Sequence, residues 1–259
     1  MSPGGSGHDA AVSDADEQAL IRRFRTARRD PDLAVLEGFH ALKHALRFGG
    51  EVLEAVASDP QQLRDLASEL APDLAGALAE RATPVRADLV AELAPRAPRT
   101  GVVAIARRPE IDLASVLAEQ RPEPLVLLED PRTMGNMGAC VRVAAAADAA
   151  GVLTTGSNDP WHPDALRGAA GLHFALPVVG VAELPATDRP LVAIDPGGED
   201  LQPAALPPRA ILAFGTERYG LSDGLLERAD TRLGIPMREG VSSLNLATAV
   251  AAVLFAQRA

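Results

Sequence analysis

Residues 125–155 read LVLLEDPRTMGNMGACVRVAAAADAAGVLTT, and the reading of this stretch decides the fold. Leu125 to Leu128 is a short, purely apolar run, and Val152–Thr155 is a second strand-like run. Between them lie a polar turn, EDPRTMGNMG, and an alanine-rich segment whose spacing predicts a helix over about 139–149. Strands without polar alternation must be covered on both faces, and two of them joined through a helix form a parallel pair. Similar apolar runs at Leu191–Ile194 and Ile211–Phe214 extend the pattern. A parallel α/β sheet is therefore expected for the C-terminal half. The last segment, Asn245 to Gln257, is apolar almost all round, as suits a helix that is buried or lies at a subunit interface.

Upstream, residues 107–124 (RRPEIDLASVLAEQRPEP) are charged and bounded by prolines. A domain boundary is expected there, with a linker over 109–124. The first half alternates helix and strand. A helix is predicted from Glu17 and another from Ala34 to Phe48, stopped by Gly49-Gly50. A strand at Val52–Ala57 and a helix Gln61–Leu70 behind Pro60 follow. Further helices are predicted over 75–82 and 87–93, with an extended piece at Val85–Arg86 and a strand at Val102–Ala106. This makes residues 17–108 a compact α/β domain with a parallel or mixed sheet. Residues 1–16, rich in Gly, Ser, Asp and Ala, are predicted to be a disordered tail.

Composition narrows the class. The chain has 259 residues, 47% of them apolar, enough for two packed domains. A single cysteine, Cys140, excludes an internal disulfide framework and a cysteine-built zinc cluster. No apolar run is long enough for a membrane span. The N-terminal MSPGGSGHDAAVSDADEQ lacks the basic-then-apolar order of a signal peptide, so a cytoplasmic protein is expected. A net charge of -10 argues mildly against nucleic acid, but a local patch can still bind phosphate. Arg22, Arg23, Arg25, Arg28 and Arg29 form one such candidate, readable as RNA contacts or as a solvated helix face.

Three glycine-containing loops fall in the second half: Asn136 to Arg142 (NMGACVR), Gly215 to Leu221 (GTERYGL), and Ile235-Pro236-Met237 followed by Gly240 to Asn245 (GVSSLN). Ligands of open α/β sheets bind at the carboxyl ends of strands. None of the three is a GxGxxG fingerprint or a P-loop, so a dinucleotide-dependent enzyme is disfavoured. A ligand here would be gripped by loop backbone.

NxGxxxR, then FGTERYGLS, then IPM with SSLNLATAVA, in this order over residues 125–259, resembles the SpoU/TrmH family of RNA ribose methyltransferases. The segment LEGFHALKHALRFG, residues 36–49, is similar to the opening of that family's ribosomal-protein-like substrate-binding domain. The resemblance implies a trefoil-knotted parallel-sheet (SPOUT) catalytic domain over 125–259, preceded by an RNA-binding domain. It implies S-adenosylmethionine, bound in bent form against Gly215, Ile235 and Leu244, and a homodimer with its active site at the interface. The substrate it implies is a ribose 2′-hydroxyl of structured RNA, rRNA favoured over tRNA, with no metal. Arg142 is then the residue that activates the hydroxyl. It acts either as base or, as we favour because guanidinium normally stays charged, by orienting the hydroxyl and the adjacent phosphate. Asn136 would orient Arg142 or the ribose, Glu217 would anchor an arginine, and Ser243 and Asn245 would cap the last helix or touch substrate. Relatives often carry serine where this chain has Ala247 and Ala169. Two rival expectations remain: an rRNA methyltransferase conferring antibiotic resistance, and a non-catalytic RNA-binding or ribosome-assembly factor with the same fold. Cys140 is expected to be core, and Trp161-His162 to stack on a base or anchor a loop.

Overall fold

The computed structural model describes residues 14–202, 206–216 and 219–256. The expected tail lies outside the described residues up to residue 13. Helix α1 (Asp14–Ala27) already begins at Asp14 and buries Leu20, Phe24 and Ala27. Strand β1 (Leu33–Glu37) follows, then α2 (Phe39–Arg47), β2 (Val52–Ala57) and α3 (Pro60–Leu70). Asp59 caps α3 by accepting from the Gln61 and Gln62 amides, and Pro60 opens it as predicted. Then come α4 (Ala75–Arg81), β3 (Ala82–Pro84), α5 (Ala87–Leu93) and β4 (Val102–Arg107).

One correction falls at residues 34–37, predicted as helix and observed as strand. LAVLE pairs antiparallel with β4, and four of its five residues are buried. Gly38, at φ 101, breaks the chain between this strand and α2, a conformation that suits glycine. The sheet order is β1-β4-β2-β3, with β2 antiparallel to β4 and parallel to β3, a mixed sheet. The predicted extended piece at Val85–Arg86 proves to be β3, three residues earlier.

The second half contains α6 (Leu113–Ala118), β5 (Leu125–Leu128), α7 (Met134–Ala146), β6 (Gly151–Thr154), α8 (Pro163–Gly168) and β7 (Val178–Gly180). It continues through β8 (Leu191–Asp200), β9 (Ile211–Phe214), α9 (Asp223–Arg228), β10 (Thr231–Gly234) and α10 (Leu246–Ala256). The six strands are all parallel, in the order β10-β8-β9-β5-β6-β7. Strands β5 and β9, apolar throughout, sit in the middle and are fully buried. Within the segment expected as linker, Val116 and Leu117 of α6 join the core on one face of this sheet. Arg189 binds the backbone carbonyls of Val116, Leu117 and Glu119, fastening α6 further.

The two sheets share one continuous apolar core, which runs from Phe39 and Leu42 of α2 to Met137 and Val141 of α7. Polar contacts reinforce it. Glu37, 6% exposed, pairs with Arg28 at 2.7 Å and with Arg167 of α8. His44 Nδ1–H donates to the Ala170 carbonyl at 2.7 Å. Gly171 (φ 78) lets the backbone of α2 approach, since a Cβ there would lie 2.7 Å from Ala41. Among the described residues, no helix is long and apolar enough to cross a membrane.

Candidate active site

Three strand ends converge on a cavity of about 340 Å³. Ile194 and Asp195 from β8, Phe214 to Thr216 after β9, and Ile235 and Met237 after β10 form three sides, and Ser242 to Leu244 with the start of α10 forms the fourth. The wall is mostly apolar side chain and loop backbone. Its volume falls within the range of small-molecule sites.

Local sequence explains each wall. At β9, Thr216 and Gly220 exchange backbone hydrogen bonds of 3.0 and 3.1 Å, and a Cβ on Gly215 would lie 2.0 Å from the Gly220 carbonyl carbon. Only glycine fits position 215. At β8, the register against β10 jumps: Ala193 faces Arg232, but Glu199 faces Leu233. The intervening DPGG therefore bulges into the cavity wall. Gly198 permits this, because a Cβ there would lie 2.6 Å from the Arg232 carbonyl carbon. The Asp195 carboxylate, mostly shielded, accepts from Arg232 at 2.8 Å and from the Gly197 amide at 2.9 Å.

Gly215, Ile235, Leu244 and Ser243, all named from sequence, line this cavity. Asn245 abuts it. Its Oδ1 accepts from the Ala247 and Thr248 amides, so it caps α10. Its Nδ2 donates to Asn136 Oδ1 at 3.2 Å, tying α10 to α7. Because the helix amides occupy the Asn245 oxygen, its nitrogen must face Asn136, and this fixes the Asn136 amide orientation as well. Glu217 lies outside the described residues. Thr216 and Met237 lie in loops marked from sequence without being named as site residues, and Asp195 was missed altogether. For Asp195 a signal existed, a carboxylate directly after an apolar strand run.

The placement of Asn136 is a correction. It is not in a strand-end loop but in the first turn of α7, which starts five residues before the predicted boundary. The loop proper is Glu129–Thr133. Gly138 is also helical, and its role is close helix approach, since a Cβ would lie 2.1 Å from the Ala165 carbonyl oxygen of α8.

Arg142 does not join the cavity of its own chain. Six residues after Asn136, it lies about 9 Å further along α7 and roughly 120° around it. It is exposed, and its guanidinium lowers the pKa of both His40 and Lys43 on α2, in each case after the larger effect of burial. Cys140 is fully buried, as expected. Trp161 is a loop anchor: it is 5% exposed, and its Nε1–H donates to the Val178 carbonyl. His162 caps α8 by accepting from the Asp164 amide. Among the described residues, no group of three or more His, Cys, Asp or Glu is arranged to hold a metal.

Comparison with known proteins gives a consistent picture. The description "SpoU rRNA Methylase family" matches residues 123–255. An uncharacterized tRNA/rRNA methyltransferase of Mycobacterium bovis is 33% identical over 94% of this chain and 90% of its own length. The 23S rRNA (adenosine(1067)-2′-O)-methyltransferase of Streptomyces azureus is 27% identical over 95% of this chain and 93% of its own. Among solved structures, the SpoU methyltransferase AviRb from Streptomyces viridochromogenes, in complex with AdoMet, superposes with a TM-score of 0.74 at 25% identity. It covers 92% of this chain and 96% of that one.

Proposed function

Because the chain belongs to the SpoU rRNA methylase family, we propose that it transfers a methyl group from S-adenosylmethionine to a ribose 2′-hydroxyl of ribosomal RNA in the cytoplasm. The observation that carries this reading is the cavity at the ends of β8, β9 and β10, lined by Gly215, Ile235 and Leu244. Its apolar walls suit a flat base, and its backbone edges and the Asp195 carboxylate suit the polar remainder of the donor. S-adenosylmethionine supplies an electrophilic methyl group on a cationic sulfur.

The work left to the chain is to position the 2′-oxygen and ease loss of its proton. Arg142 orients that hydroxyl and holds the neighbouring phosphate. A guanidinium stays protonated, so it is not the base. The Asn136–Asn245 pair sets the start of α10, and with it Ser243 and Leu244 at the rim of the cavity. Glu217 completes the set as an anchor for an arginine.

The active unit in this reading is a homodimer in which Arg142 of one protomer serves the cavity of the other. Two features support it: Arg142 does not line the cavity of its own chain, and apolar surface is exposed near the rim and along α10. Tyr219, Val241 and Leu244 are 74%, 49% and 37% exposed, and Phe255, near the end of α10, is 48% exposed. The C-terminal domain, 125–259, is threaded as the family's trefoil knot, with α10 returned against α7 and bonded through Asn245. The N-terminal domain, 17–108, and its ribosomal-protein-like fold recruit the RNA. Shared identity with the 23S rRNA enzymes over nearly the whole chain favours rRNA over tRNA.

The test is transfer of radiolabelled methyl from S-adenosylmethionine to a 23S rRNA transcript, followed by digestion to nucleosides. Label in a 2′-O-methylnucleoside is expected, from a protein with twice the 27.0 kDa chain mass by light scattering. Label only on a base contradicts the reaction, and a stable monomer contradicts the shared site.

A further inference from the structure

Helix α2 carries two parallel rows of side chains, and the charge of Arg142 on α7 reaches one member of each, His40 and Lys43. His40, His44 and Phe48 follow each other at helical spacing, with ring centroids 6.5 and 6.4 Å apart. Lys43 and Arg47 form the adjacent row. Arg47 is committed to Asp73, at 2.7 and 2.9 Å. Lys43 is different: most of its length is packed down, to 9% exposure, while its ammonium reaches the surface and makes no hydrogen bond or ion pair with any described residue. A stem held flat with a charged tip open to solvent presents a positioned cation.

The arrangement is held rigidly. His44 bonds Ala170, Ala41 packs on Gly171, and the turn Leu172–Phe174 that follows packs against both α2 and α7. Thus α2 and α7 are fixed on one turn, close enough for the charge of Arg142 to reach His40 and Lys43. These cations repel each other: Arg47 and Arg142 both lower the pKa of Lys43, after burial, and Lys43 and Arg142 lower that of His40. Nearby Asp73 offsets only part of this for Lys43. A bound anion would relieve the repulsion, and the exposed rings of His40 and Phe48, the latter 45% exposed, offer flat surface beside it.

We propose that Lys43 and Arg142 of the same chain together bind one backbone phosphate of the substrate RNA, with His40 and Phe48 flanking the strand on α2. This rests on the methyltransferase reading above and deepens it. The N-terminal domain is then not a remote tether. It shapes the reaction centre, and Lys43 is a positioning residue for the strand that Arg142 acts on. Phosphate contact fixes register and carries no base preference of its own.

The test uses Lys43→Met, which keeps the buried aliphatic stem and removes the charge, with Lys43→Arg as the conservative partner. Binding to a 23S rRNA transcript is measured by filter retention across about 50 to 200 mM KCl. Lys43→Met is expected to lower the slope of log affinity against log salt by about one and to raise the KM for RNA roughly tenfold, with kcat nearly unchanged. Lys43→Arg should retain most of both. Binding of S-adenosylhomocysteine and the melting temperature should match wild type in each variant. A Lys43→Met protein with wild-type salt slope and KM overturns the proposal. So does loss of S-adenosylhomocysteine binding in step with RNA binding, which would make Lys43 merely structural. A wild type that binds the transcript but transfers no methyl contradicts the proposed reaction instead, and the salt slope still decides the role of Lys43.

Discussion

His173 illustrates how much a single buried group contributes to the chain's response to acid. It is fully buried, its Nε2–H donates to the Pro160 carbonyl at 2.8 Å, and its Nδ1 has no partner among the described residues. Burial pushes its pKa down to about 4, against a weaker opposing effect of that hydrogen bond. The unfolded chain therefore binds a proton near pH 6.5 that the folded chain refuses until about pH 4. Stability is full above the unfolded value and falls as pH drops through this window, by up to ~3 kcal/mol. His40 and His44, also lowered chiefly by burial, add to the effect with the same sign. Urea unfolding between pH 7 and 4 should show a flatter acid limb for His173→Gln than for wild type, and equal limbs would refute the assignment. At this scale the sequence was informative where a residue's backbone mattered. Gly215, Ile235 and Leu244, implied by the family resemblance, all line the cavity. Asp195 was overlooked although a carboxylate follows the apolar run, because the β8 bulge that carries it into the cavity wall shows only in strand pairing.

Among the elements, central strands were the most legible, because β5 and β9 are apolar at every position and allow no other reading. Short edge strands were not: β7 and β10 carry too few buried residues to show a pattern. Residues 34–37 looked helical because LAVLE continues the apolar spacing of α2, and Gly38 was the break that periodicity alone overlooked. The start of α7 was misread for a related reason. MGNMG resembles a turn, yet it opens a helix, and Gly138 serves contact with the next one. Gly138 packs on the Ala165 carbonyl and Gly168 on that of Gly135, so α7 and α8 nearly touch backbone to backbone. Gly138→Ala should therefore destabilise the protein by at least about 2 kcal/mol, despite the better helix propensity of alanine. Thermal unfolding checks this, and an unchanged or raised melting temperature would mean that α8 can yield at no cost.

For the molecule as a whole, the division into two sheets was visible in the alternation of elements, but their union was not. One apolar core and the pairing of buried Glu37 with Arg28 and Arg167 bind the N-terminal sheet to α8 and α7, and the charge of Arg142 reaches His40 and Lys43 of α2. Contacts that couple residues more than a hundred positions apart leave no periodic trace, which is why that union emerged only from the fold. Arg142 was recognised from its motif, but that it stands outside the cavity of its own chain shows only in the fold. If this cavity and that arginine together methylate a ribose of ribosomal RNA, the decisive measurement maps 2′-O-methyl positions in ribosomal RNA from cells with the gene, without it, and with Arg142→Ala in its place. One or a few riboses should lose their methyl group when the gene is absent, regain it with wild type and stay bare with Arg142→Ala. Identical maps from cells with and without the gene would contradict it.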